Sequence, residues 1–171
     1  MDDSKKIEQL RFVLTRFDHY TEGANSKGNF LLAFCGFLVG FVGSNYSEII
    51  AINNNAYENL TGILLFMILT LGLFSIGFII IAVSPFLKSN NSSNKKYHSL
   101  IFFNSIAQMD EKEFTKEIKK QKENSIVEDL SKQVHIISNG LNSKYSKIGW
   151  SLKLLIFQLI LIMVIIITKA I

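Results

Sequence analysis

The chain has 171 residues, 49% of them hydrophobic with a single proline, and a formal net charge of +4. That length leaves room for a membrane bundle and one small polar module, not for two soluble domains. One cysteine excludes a disulfide framework within the chain, and the three histidines stand at no metal-ligand spacing, so no metal is expected.

Residues 2–20 place Ile7, Leu10, Val13, Leu14, Phe17 and Tyr20 at steps of three and four, which predicts an amphipathic helix. Phe12 falls off its apolar face. The polar face mixes acidic and basic residues, which favours packing on another helix over lying on a membrane. Residues 20–29, YTEGANSKGN, read as a polar hinge. The first span is expected over 29–52, although its strongly apolar part ends at Gly43 and is followed by Asn45, Tyr46 and Glu48. Glu48 reads as an interfacial carboxylate, since a charge within lipid is costly. Cys35 reads as a small packing residue. Residues 53–59 are expected to form a short external loop.

The second span, 60–87, contains no Asp, Glu, Lys, Arg or His. At about 1.5 Å per residue it crosses a hydrocarbon core roughly 30 Å thick with residues to spare. In lipid, small residues let helices approach closely, and Gly72 and Gly77 are assigned to that packing. Residues 88–149 are expected to be a cytoplasmic helical module. It begins with a polar loop, followed by an apolar cluster over 98–106 that fits helix or strand. A charged helix over 110–122 comes next, opened by a capping box of Asp110 and Glu113. From Ile126 an amphipathic helix leads into the third span, 150–168, with Gly140 as its weakest point. Tyr145, Trp150 and Lys153 suit the headgroup belt.

Lys and Arg are absent from 28–87 and abundant on both sides. The positive-inside rule then places residues 1–28 and 88–149 in the cytoplasm and the C-terminus outside. The net charge needs no nucleic acid, because anionic headgroups suffice. The first apolar block starts too far in to read as a signal peptide. The expected fold class is an all-α integral membrane protein, with three transmembrane helices and cytoplasmic amphipathic helices before and between them.

No Walker-type loop, G-x-S-x-G elbow or HExxH motif occurs, so neither an enzyme nor a cofactor is expected, and a lipid-modifying activity lacks a motif. The cytoplasmic segments offer Arg16, Lys27, Lys96 and Lys144 as cations. Asn25, Asn104, Gln133 and Asn139 are amides, and Tyr20, Tyr97 and Phe103 are stacking surfaces. Such a set suits a small anionic ligand carrying a base. The same residues also serve as helix caps and headgroup contacts. The charged 110–122 helix would equally suit a membrane scaffold or a transporter accessory subunit.

Three stretches carry a resemblance: RFDHYTEGANSKGNFLLAF (16–34), SPFLKSNNSSNKKYHSLIFFNSIA (84–107) and DLSKQVHIISNGLNSKYSKI (129–148). Their order and the interleaved spans resemble the transmembrane effectors of Pycsar antiphage systems. The resemblance implies an effector of the bacterial inner membrane, activated by cyclic CMP or cyclic UMP from a partner pyrimidine cyclase. On activation it impairs the membrane and causes abortive infection. The implied partners are that nucleotide, membrane lipid and further copies of the chain. Some relatives append an HD phosphohydrolase domain; none is expected here, so the resemblance implies no hydrolytic activity. Within the matching stretches, chemistry selects Asn25, Lys27, Tyr97, His98, Gln133, His135 and Lys144 as candidate ligand contacts.

Overall fold

A computed structural model of the chain describes residues 2–51, 58–85 and 99–170. Its helices are α1 (Asp3–Ser44), α2 (Tyr46–Ala51), α3 (Glu58–Val83), α4 (Phe103–Ile106), α5 (Glu111–Lys120) and α6 (Glu123–Ala170), with no strand among the described residues. The all-α membrane class holds: α1, α3 and α6 are each long and apolar enough to cross a membrane. The expected external loop at 53–59 and polar loop after residue 88 lie almost wholly outside the described residues.

The chain divides into two compact units: Met1–Glu22 with Pro85–Asn142, and Gly23–Ser84 with Ser143–Ile171. In the second, spanning unit, the buried positions of α3 are Thr61, Leu65, Ile68, Gly72, Ser75, Ile79 and Ala82, alternating steps of four and three. Buried positions on α6 follow nearly the same rhythm: Lys144, Ile148, Ser151, Leu155, Gln158, Leu161 and Ile165. On α1, Ala24, Gly28, Leu31, Cys35 and Val42 do likewise. A mean step near 3.5 residues is the seam of left-handed, coiled-coil-like packing. Two apolar clusters result. One joins Leu31, Cys35, Ile79, Ile148 and Leu155; the other joins Val42, Leu65, Ile68, Leu161 and Ile165. The opposite faces expose Phe37, Phe66, Phe74, Ile81 and Ile160, the surface a bilayer accepts and water does not.

Local chemistry explains where the helices depart from the sequence reading. Residues 20–29, expected as a hinge, are helical throughout. Glycine disfavours a helix by about 1 kcal/mol, but Gly28 lies where a Cβ would come within 2.5 Å of Val83 Cγ1, and close packing offsets that loss. α1 stops at Ser44 instead of running to residue 52. The Ser44 hydroxyl donates to the Gly40 carbonyl and the Asn45 amide to the Phe41 carbonyl, back-bonding of the kind that competes with the ladder and bends helices. α6 passes through Gly140, which is buried, without a break. Trp150 is exposed, with Lys153 Nζ 4.6 Å from its ring centroid.

In the other unit the apolar cluster left open between helix and strand is helical over Phe103–Ile106. The turn before it is held by side chains. Ser99 Oγ accepts from the Ile101 and Phe102 amides at 3.2 and 3.1 Å, and Asp129 Oδ2 accepts from Leu100 N–H at 2.9 Å. Asp110 occupies the N-cap of α5, but its side chain makes no cap hydrogen bond, so the expected capping box is not formed. Phe12, off the apolar face, is exposed beneath Arg16, whose guanidinium lies 5.9 Å from its ring and donates to Tyr20 Oη.

Candidate functional site

The polar chemistry of the spanning unit starts where α3 ends. The last carbonyls of a helix have no partner within it, and a cation is favoured there. Lys144 reaches that end from α6: Nζ donates to the Ala82 carbonyl at 2.6 Å, the Ser84 carbonyl at 3.3 Å and Asn25 Oδ1 on α1 at 3.0 Å. An ammonium has three donors, and here three neutral oxygens take them. Lys144 is buried, and no carboxylate among the described residues pairs with it. It ties three helices together without a counter-charge.

Two sequence candidates, Asn25 and Lys144, are therefore in contact. Lys27 is on α1 two residues beyond Asn25 and is exposed. Gln133 and His135 belong to the other unit. Gln133 is buried, whereas His135 is exposed and its Nε2 lies 3.1 Å from Asn139 Nδ2. Residues two apart do not share a helix face. Tyr97 and His98 lie outside the described residues.

Deeper in the spanning unit is a polar line that sequence reasoning missed. Ser75 Oγ on α3 lies 2.6 Å from Ser151 Oγ on α6, 3.2 Å from the Ser151 carbonyl and 3.4 Å from Cys35 Sγ on α1. All three residues are fully buried, so one hydroxyl joins three spans. Cys35 thus hydrogen-bonds as well as packs. Two turns along α6, Gln158 is fully buried, and neither its Nε2 nor its Oε1 has a hydrogen-bond partner. It faces Gly72, where a Cβ would stand 3.0 Å from Gln158 Nε2 and would clash with Val39 Cγ2. Gly77 differs: among the described residues of the chain nothing lies within 4 Å of a Cβ built on it. The signal for Gln158 was present as one carboxamide inside the apolar run of the third span, where a polar group is expensive.

The concavities are less suited to a nucleotide. A groove of about 320 Å³ in the spanning unit is lined by Phe37, Phe41, Ile49, Leu65, Ile162 and other apolar residues, which give phosphate or base nothing to hold. In the other unit, a hollow of about 260 Å³ is walled by Leu100, Glu117, Lys120, Ser125, Glu128 and Asp129, more acidic than basic. A shallow basic surface runs along α5 through Lys112, Lys116, Lys119 and Lys120.

Comparison with known proteins covers both units. Residues 9–169 match the family described as Pycsar effector protein domain, PycTM. A Staphylococcus aureus protein named Pycsar effector protein SaPycTM is 29% identical over 142 residues, 83% of this chain and 82% of the relative. No solved structure matches. With the match running from the first turns of α1 to the end of α6, the chain belongs to the PycTM family of Pycsar effector proteins.

Proposed function

We propose that this protein is an antiphage defence effector that senses cyclic CMP or cyclic UMP and then impairs the bacterial inner membrane. The carrying observation is the family match over residues 9–169, which includes the three spans and the polar segments between them. A partner pyrimidine cyclase supplies the nucleotide. Residues 1–28 and 88–149 face the cytoplasm, and the effector acts as a homo-oligomer. No catalytic step is required of it.

Lys144 and Asn25 support a ligand site in that they pair a cation with an amide, the groups that suit a phosphate and a base edge. In the described arrangement Lys144 holds only neutral acceptors, so an anionic ligand would compete for an ammonium with no counter-ion. Lys27, Tyr97, His98, Gln133 and His135 are proposed as further contacts on their chemistry within the matching stretches alone. A ligand shifts the protein only if it binds one arrangement better than the other. Breaking the Lys144 bonds to the end of α3 is the change we assign to binding.

The experiment is equilibrium binding of radiolabelled cyclic CMP, cyclic UMP and cyclic AMP to the detergent-purified full chain. Wild type is compared with Lys144→Met and Lys27→Ala. Saturable binding of one pyrimidine nucleotide, lost in Lys144→Met, is expected. Binding unchanged by both substitutions moves the site elsewhere, and no binding to folded protein overturns direct sensing.

A further inference from the structure

Lys144, Ser151 and Gln158 recur on α6 at intervals of seven residues and are all buried in the spanning unit. From Lys144, at the mouth of the bundle just before the third span, to Gln158 the rise is about 21 Å, of which roughly 12 Å lies within the span. Opposite them stand the Ala82 carbonyl, the Ser75 hydroxyl and the side-chain-free Gly72 on α3, with the Ser84 carbonyl just past its end. Polar groups thus line one interior edge from the mouth of the bundle to near the middle of the third span. Beyond Gln158 the interior is closed by Val42, Leu65, Ile68, Leu161 and Ile165, with a buried polar residue, Thr61, towards the far end of α3.

A buried carboxamide with both atoms unpaired is costly, and in this arrangement nothing compensates it. Water would. We infer that this edge is the path by which small anions cross the membrane when the bundle opens, with the Leu161–Ile165 layer as its gate. The inference rests on the membrane-impairing reading above and gives that reading a route. Apolar constrictions gate by dewetting, and a charged residue beside a pore selects ions of opposite sign. Lys144 supplies a positive charge at one end, so chloride-like anions pass in preference to potassium. Gln158 is the first polar group behind the gate, placed to solvate an ion that has cleared it.

The test is ion flux in phospholipid vesicles carrying the full chain, read with a chloride-sensitive dye, a potassium electrode and trapped calcein. Ile165→Ser, with Leu161→Ser as a second variant should the first fail to insert, is expected to leak chloride without nucleotide while retaining calcein. Gln158→Leu added to it abolishes the leak. Cys35, beside Ser75, becomes reactive to a membrane-impermeant thiosulfonate in the leaking variant and not in wild type. Calcein escaping with the chloride, potassium passing more readily, or both inserted gate variants staying tight overturns the path. Cyclic CMP and cyclic UMP added to wild type separate the two proposals. Silent wild type beside a leaking gate variant refutes sensing and keeps the path. Nucleotide-driven flux that is unchanged by Gln158→Leu refutes the path and keeps sensing.

Discussion

The carboxamide nitrogen of Gln158 lies 3.0 Å from the point a Cβ on Gly72 would occupy, and Val39 Cγ2 is nearer still. The missing side chain at Gly72 is therefore what seats Gln158 inside the bundle. Gly72→Leu forces both neighbours to move, and overpacking of this kind costs about 1–3 kcal/mol. Gly77→Leu meets open space and should stay within about 0.5 kcal/mol of wild type. Thermal unfolding of the two variants in detergent, side by side, checks the contrast.

Lys144 donates to the Ala82 and Ser84 carbonyls at the end of α3. Lys144→Met keeps most of the apolar stem and removes the donors. Leaving those carbonyls unpaired in a buried setting should lower stability by about 1–3 kcal/mol. Asn25→Ala removes one of three acceptors and should cost less, about 0.5–1.5 kcal/mol. Equal losses in unfolding experiments would show that Asn25, not the helix end, is the main partner.

Ser75 and Ser151 can be apportioned by a double-mutant cycle. Interhelical hydrogen bonds in membrane bundles average about 0.6 kcal/mol, with a maximum near 1.7. A coupling within that range is expected between Ser75→Ala and Ser151→Ala. Cys35→Ala should couple to Ser75 more weakly, because sulfur is a poor hydrogen-bonding partner. Mixed-micelle unfolding provides the measurement.

Asp129 anchors the turn into α4 through the Leu100 amide. A hydrogen bond to a charged group is worth about 1.5–3 kcal/mol, so Asp129→Ala should destabilise the polar unit by that order. Hydrogen exchange should show the Leu100, Ile101 and Phe102 amides losing protection, with those of α3 unchanged. A uniform loss across all helices would mean the two units unfold together.

Hydropathy and charge were enough to find three spans and the amphipathic helices, because uncharged length and helical periodicity are long-range signals that single residues do not disturb. Helix ends were harder to read. The stretch YTEGANSKGN has hinge composition, yet Gly28 packs against Val83, and tertiary contact overrode local propensity. The buried face of α3 was also hidden, since a helix apolar on every side has no amphipathic signal. What marked it was Thr61, Gly72, Ser75 and Ala82, whose separations of 11, 3 and 7 residues keep them on one helix face, an inverted code in which small and polar residues point inward. Of the five proposed ligand residues among the described ones, Asn25 and Lys144 are the pair seen to hydrogen-bond. Contacts between residues more than a hundred positions apart have no local trace in a single sequence.

The pairing of Lys153 with Trp150 has a mechanical consequence. An aromatic ring and an ammonium held together prefer the headgroup zone, and they moor the third span at one depth. Sliding α6 inward by a single turn, about 5.4 Å, would drag a cation into hydrocarbon. Rotation about the helix axis or tilt about the mooring keeps the pair where it is. Rearrangements of this bundle are therefore steered toward twisting and leaning, and away from piston motion.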